Sequence, residues 1–250
     1  RFGAAISACE KGARWQHALA VFAAMPRLRI VPNEITCNAA VSACEKAAQW
    51  QHAIALFAAM PELSAAPVIV TCCATMSACE KDAQWQRCLS LFASLPRLRL
   101  APNVVSCSAS MSACERGAQW QRTIALFSAM PQLRVARTAV SCGVATLACE
   151  GAAEWQRALV LFAAMLQLGI APDAQACNAA MRACEQGAQW QRSLAIIRAM
   201  PRLRVAPTAI ACSAAMSSCE QGSKWQRAIS LSTTPLLDVL DCIAAEVGDR

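Results

Sequence analysis

The residues able to do chemistry in this chain recur at a fixed interval, and the interval limits what they can do. Glutamate stands at 10, 45, 80, 115, 150, 185 and 220, each directly after a cysteine at 9, 44, 79, 114, 149, 184 and 219. Identical carboxylates one interval apart cannot converge on one substrate, so these do not build an acid–base pair. An ion pair between neighbouring units, or a helix cap, suits them better. His17 and His52 are separated by the same interval, and neither CxxC nor HxxxH occurs, which argues against a metal centre. No nucleophile, base and orienting group occur together. The expectation is a protein that is not an enzyme, takes no cofactor and has no small-molecule substrate.

Sixteen cysteines would suit a disulfide scaffold, but thirteen fall on two recurring positions, the second being 37, 72, 107, 142, 177 and 212. On a helix, Cys37 and Cys44 share a face but lie about 10 Å apart along the axis. A disulfide needs Cα atoms within about 7 Å, so that pair cannot close. The ladder reads as small core residues in a reducing compartment.

All of this is positioned by a repeat. Tryptophan stands at 15, 50, 85, 120, 155, 190 and 225, always 35 residues apart. A strict period of this length marks a solenoid, in which each unit packs only on its neighbours and no single large core is needed. Full copies run 34–68, 69–103, 104–138, 139–173 and 174–208, with partial copies at 1–33 and 209–231. Apolar residues make up 56% of the 250 and charged ones 16%. The longest uncharged run, Leu63 to Cys79, contains Pro67 and is shorter than the roughly 18–20 residues of a membrane span, so no membrane role is expected. The net charge of +7 leans towards an anionic partner.

Within a unit, Cys37, Val41 and Cys44 form one stripe of a first helix, and Cys72, Met76, Cys79 and Cys107, Met111, Cys114 repeat it. A break follows at Ala47-Ala48, where Gly12, Gly117, Gly187 and Gly222 suit a left-handed residue closing the helix. The second helix starts near Gln49 with a stripe of Trp50, Ala53, Ile54, Phe57 and Met60. Pro61 is expected to stop it, as are Pro26, Pro96, Pro131 and Pro201. Helix-opening Trp on an apolar stripe reads as core, and Arg87, Arg122, Arg157, Arg192 and Arg227 as a solvated basic face. The pattern decays after Ser230, and 232–250 reads as a divergent capping helix.

Helical hairpins of this period, with A-x-x-L-F-x-x-M in the second helix, resemble pentatricopeptide repeats. The second copy carries the resemblance at Thr36, Asn38, Cys44, Lys46, Ala53, Leu56, Phe57, Met60 and Pro67. It covers residues 1 to about 231 and implies an all-α, right-handed superhelical solenoid that binds single-stranded RNA, one base per repeat, along its first helices. The implied base-reading residues are Gly3, Asn38, Cys73, Ser108, Gly143, Asn178 and Ser213, paired with Asn33, Val68, Asn103, Thr138, Asp173 and Thr208 at the repeat ends. The implied base-wedging residues are Ile35, Val70, Val105, Val140 and Ile210, from which Gln175 departs. Phosphate contacts are implied for Lys11, Lys46, Lys81 and Arg116. Val68, Cys73, Gly3 and Gly143 each remove a donor or acceptor from a reading pair, so the means of gripping bases is better kept than the means of naming them. The resemblance also implies proteins of an RNA-processing complex as further partners, in a mitochondrion or chloroplast. The other reading is a protein-binding helical scaffold with a degenerate code. The chain begins in mid-repeat without an initiator Met and reads as a fragment, so a targeting signal would lie outside it.

Overall fold

A computed structural model describes residues 2–12, 14–28, 30–63 and 65–221. Gly222, Trp225, Arg227 and the expected capping helix at 232–250 lie outside the described residues. Among those described there are thirteen α-helices and no strand. They fall into two compact units, Arg1–Arg137 and Thr138–Arg250.

The first unit holds α1 (Phe2–Lys11), α2 (Trp15–Arg27), α3 (Glu34–Lys46), α4 (Trp50–Ala59), α5 (Ile69–Lys81), α6 (Trp85–Ser94), α7 (Val104–Arg116) and α8 (Trp120–Ala129). The second holds α9 (Ala139–Gly151), α10 (Trp155–Gln167), α11 (Ala174–Gln186), α12 (Trp190–Ala199) and α13 (Ala209–Gln221). Within each unit the first helices pack directly on one another: α1 on α3, α3 on α5, α5 on α7, and then α9 on α11 and α11 on α13. Within a unit a second helix packs on its own first helix and on the next one, while among the described residues of each unit successive second helices do not approach each other at the backbone. Small residues make this possible. The stack buries Cys37, Ala39, Ala40, Ala43 and Cys44 in α3 and Cys177, Ala179, Ala180, Ala183 and Cys184 in α11. α3, α5 and α11 are therefore buried on more than the single stripe read from the sequence, because each has first-helix neighbours on both sides.

The hairpin turns differ from expectation in two ways. α3, α5, α7, α9 and α11 each close through a pair of reversed hydrogen bonds: in α3, Gln49 N–H donates to Cys44 O at 2.8 Å, and Ala48 N–H to Glu45 O at 3.1 Å. The left-handed residue between them is Ala48 at φ 55°, and likewise Ala83, Ala118, Ala153 and Ala188. Gly117 and Gly187 sit one position earlier with φ −83° and −88°, so left-handed closure is not what they supply. They make room. A Cβ on Gly117 would stand 2.3 Å from Cδ1 of Trp85, and one on Gly187 2.6 Å from Cδ2 of Trp155.

The prolines end four of the second helices as expected: α4, α6, α8 and α12 stop two residues before Pro61, Pro96, Pro131 and Pro201, and the exception is in α2. Pro26 lies inside α2. In later repeats the chain turns three residues past the proline, at left-handed Arg99, Arg134 and Arg204, with Pro96, Pro131 and Pro201 carbonyls accepting their N–H groups. Repeat 139–173 has Leu166 in the proline position, and there α10 runs on to Gln167 before Gly169 makes the turn at φ 67°.

Candidate nucleic-acid interface

The residues paired by sequence meet at the start of the first helices, and the second of each pair turns out to be a helix cap. Asn33 Oδ1 accepts from Thr36 N–H at 3.0 Å, Asn103 Oδ1 from Ser106 N–H at 2.8 Å, and Asp173 Oδ1 from Ala176 N–H at 2.8 Å. Thr138 caps α9 through Ser141 N–H at 3.3 Å, and Thr208 caps α13 through Ala211 N–H at 3.1 Å. Thr36, Ser106 and Ser141 return a hydroxyl to the cap N–H, completing capping boxes. The signal for this was present as Asn33-x-x-Thr36 and Asn103-x-x-Ser106, and sequence reasoning passed it over.

These caps touch their reading partners. Thr208 Oγ1 donates to Asn178 Oδ1 at 2.8 Å, and Cys73 Sγ donates to Asn103 Oδ1 at 3.6 Å. Gly143 lies beside Asp173, since a Cβ there would stand 3.9 Å from Asp173 Oδ1. Gly3 is similarly placed 3.6 Å from the Thr36 methyl. Val68 cannot cap α5, and no side chain does. Thr71 Oγ1, released from a capping box, donates instead to Asn38 Oδ1. Asn38, Asn103 and Asn178 thus each have the amide oxygen occupied and the NH₂ group left to donate. Ser108 Oγ is buried with no hydrogen-bond partner among the described residues, and Ser213 is exposed on α13.

The five wedge residues stand out of the first turn of their helices. Ile35 is 69% exposed, Val70 62%, Val105 54%, Val140 56% and Ile210 49%. Gln175, in the same register, is also exposed. A β-branched aliphatic left in water at the same place in successive repeats contributes nothing to the core.

At the other end of the first helices the cations are engaged. Lys46 Nζ pairs with Glu10 at 3.0 Å, Lys81 Nζ with Glu45 at 2.6 Å, and Arg116 with Glu80 at 3.9 Å, each reaching back one repeat. This is the inter-repeat ion-pair role expected of the repeated glutamates. In the second unit Arg182 pairs with Glu150 at 3.8 Å, and Gln186 donates to the Glu150 carbonyl at 3.0 Å. Burial raises the Glu80 and Glu150 carboxyl pKa values, and the neighbouring arginines oppose the rise. Such part-exposed pairs stabilise by only about 0–1 kcal/mol each. Lys11 is exposed at the end of α1.

The six described tryptophans are half-buried rather than core. The Arg87 guanidinium lies 4.4 Å over the Trp50 ring and that of Arg122 4.4 Å over Trp85, while His52 stands 5.0 Å from Trp15. Those arginines are therefore stacked joints between repeats, not a free solvated face. The cysteines of both ladders are buried, apart from half-buried Cys9 and Cys212. Burial drives the thiol pKa of Cys44, Cys72, Cys79, Cys114, Cys149 and Cys177 up to about 11, and that of Cys88 and Cys184 up to about 12. No group of acids, histidines and cysteines able to hold a metal occurs among the described residues.

No protein-family model and no curated protein sequence matches the chain. Among solved structures it is similar to the pentatricopeptide repeat protein PPR10 from maize, with 19% identity and a TM-score of 0.66 over 90% of this chain and 32% of that one. PPR10 solved in complex with an 18-nt psaJ RNA element matches at 18% identity and TM-score 0.54, over 86% of this chain and 35% of that one. The pentatricopeptide repeat domain of Arabidopsis thaliana protein-only RNase P 1, solved in complex with tRNA, matches at 12% identity and TM-score 0.65, over 78% and 98%. The chain spans about a third of the length of PPR10. Thirteen helices in hairpins of 35 residues, stacked through their first helices, give this chain the fold of the pentatricopeptide repeat proteins.

Proposed function

We propose that the chain is an RNA-binding adaptor of the pentatricopeptide repeat family, holding single-stranded RNA along the first-helix face with one base per repeat. Its setting is organellar RNA processing, editing, stability or translation, in a mitochondrion or chloroplast, with other proteins of the processing complex as further partners. The observation that carries this reading is the exposed row Ile35, Val70, Val105, Val140 and Ile210 beside the cap pairs. Aliphatic side chains at this spacing can insert between successive bases, while Asn38, Asn103 and Asn178 offer amide donors to base edges. Asp173, with only hydrogen opposite it at Gly143, offers a carboxylate oxygen instead. The chain's own residues supply grip and register, and no catalytic step is assigned to them.

Phosphates are met by Lys46, Lys81 and Arg116 exchanging their glutamate partners for RNA, with Lys11 at the row's start. A second reading, a protein-binding scaffold, draws on the same ion pairs, because they leave that row close to neutral. Filter binding of random single-stranded RNA across a salt series separates the two: RNA binding weakens steeply with salt. Glu10→Gln with Glu45→Gln frees Lys46 and Lys81 and removes two like charges from the phosphate path. At about 7 Å in water each is worth about 0.6 kcal/mol, about 1.2 for the two, so RNA affinity should rise about sevenfold. Unchanged affinity in that variant would remove the lysine row from the RNA path. Salt-independent retention of RNA, or none, would favour the scaffold.

A further inference from the structure

The cations of this protein occur in two kinds of company. Lys46, Lys81 and Arg116, at the ends of first helices, are tied to glutamates. The turns that follow the second helices are different. Arg97, Arg99 and Arg134 in the first unit, and Arg202 and Arg204 in the second, are exposed and form no ion pair with any described residue. Residues 95–103, 130–137 and 200–208 contain no acid at all.

Backbone conformation sharpens the contrast. Arg99, Arg134 and Arg204 occupy the left-handed position of a helix-closing turn, with φ 55°, 57° and 59°. Glycine takes that position at no steric cost and does so at Gly169. An L side chain there is disfavoured, because its Cβ crowds the following carbonyl oxygen. The turn itself is closed by backbone bonds, Leu100 N–H to Leu95 O, Val135 N–H to Met130 O and Val205 N–H to Met200 O, each at 2.9 Å, so it does not depend on the guanidinium. Arg99 lies four residues before Asn103, the cap and reading residue of α7, and Arg204 four before Thr208 of α13. In an antiparallel hairpin this is the edge opposite the lysine–glutamate ladder.

We infer that these turn arginines form a second contact row for RNA phosphates, on the edge where the first helices begin. The inference rests on the RNA-binding reading above. A row already free of acidic partners gives up no ion pair to bind a phosphate, and a guanidinium can engage it with two parallel hydrogen bonds. Turns 60–68, with Glu62, and 165–173, with Asp173 and no arginine, interrupt the row, so the grip is local to repeats 69–103, 104–138 and 174–208.

The test uses the whole chain, an oligouridylate and salt titration of filter binding. Arg99→Gln with Arg134→Gln should lower the slope of log affinity against log salt by roughly 1.4, about 0.7 per lost contact on a single strand. Arg87→Gln with Arg122→Gln removes the same charge from the stacked joints and should leave the slope unchanged. Arg99→Gly with Arg134→Gly, which suits the left-handed turn, must behave like the glutamine pair, and its melting temperature should not fall. If wild type binds with a steep slope and the turn variants keep it, or if both arginine pairs lower it alike, the row is wrong and the RNA reading survives. If wild type binds no RNA, both fall. Polyglutamate bound as tightly as RNA, and lost in the same turn variants, would overturn the assignment to nucleic acid.

Discussion

Taken from pH 8 to pH 11 under reducing conditions, the protein is expected to lose its helical structure cooperatively, well before ordinary amide or guanidinium chemistry intervenes. The cause is the thiol ladder. A thiol with an ordinary value of 9.0 is raised to about 11 at Cys44, Cys72, Cys79, Cys114, Cys149 and Cys177, and to about 12 at Cys88 and Cys184, because burial disfavours the thiolate. The folded values lie above the unfolded one, so the stabilisation is complete below pH 9 and drains away as pH climbs towards 11 and 12. At pH 10.5 each unfolded thiol gains roughly 2 kcal/mol over its folded counterpart, taking about 1.4 kcal/mol per pH unit. Summed over the five such thiols of the first unit or the three of the second, that falls within the roughly 5–15 kcal/mol that holds a domain together. The chain has no tyrosine, so no phenol ionises in the same window. Circular dichroism against pH checks this. Full helicity retained at pH 11 would mean the thiols are far less shielded than their burial indicates.

The second large effect is expected at Met76. Its side chain is fully buried in a cluster with Cys79, Cys88, Ala109 and Ala113, with Trp50 and Trp85 packed against it. Those neighbours are short or rigid, and the helices bearing them are fixed by the next repeat, so the space left by truncation cannot collapse. Met76→Ala should cost about 3–5 kcal/mol, the upper part of the range for such changes. Because each repeat leans only on its neighbours, the loss should appear as early melting of the middle of the first unit. Hydrogen exchange would show it as lost protection in α5 to α7 first. A cost below about 1 kcal/mol would contradict the packing described here.

Much of this was legible in the sequence because the period fixes both helices at once. Trp50 opens α4 and Glu34–Lys46 forms α3, as the stripes required. What was not legible depends on contacts between repeats, which a pattern within one repeat cannot contain. Gly117 looked like a left-handed cap, but its reason is the Trp85 ring of the preceding repeat. Arg87 and Arg122 looked solvated, but each lies on a tryptophan one repeat back. Lys46 and Lys81 looked available for phosphate, and glutamates from the preceding repeat hold them. Of the prolines only Pro26 misled: it lies inside α2, which runs on to Arg27, whereas α6 stops before Pro96 as the pattern required. The cap role of Asn33 and Asn103 was the one local feature missed, and it constrains the site most, since it leaves only the amide NH₂ of each to face a base.

The central claim, that RNA lies against the first turns of the first helices, is tested most directly by placing a negative charge on the exposed wedge positions. Val70 and Val105 are 62% and 54% exposed and lie in the second position of α5 and α7. Aspartate there favours the helix dipole, so Val70→Asp with Val105→Asp should melt no lower than wild type. In the RNA path, the same change removes two apolar wedges and sets two carboxylates against the strand. Affinity for an unstructured RNA at fixed salt should then fall at least tenfold, about 1.4 kcal/mol, in a protein whose stability is unchanged. Undiminished binding by that variant would place the RNA elsewhere and contradict the account.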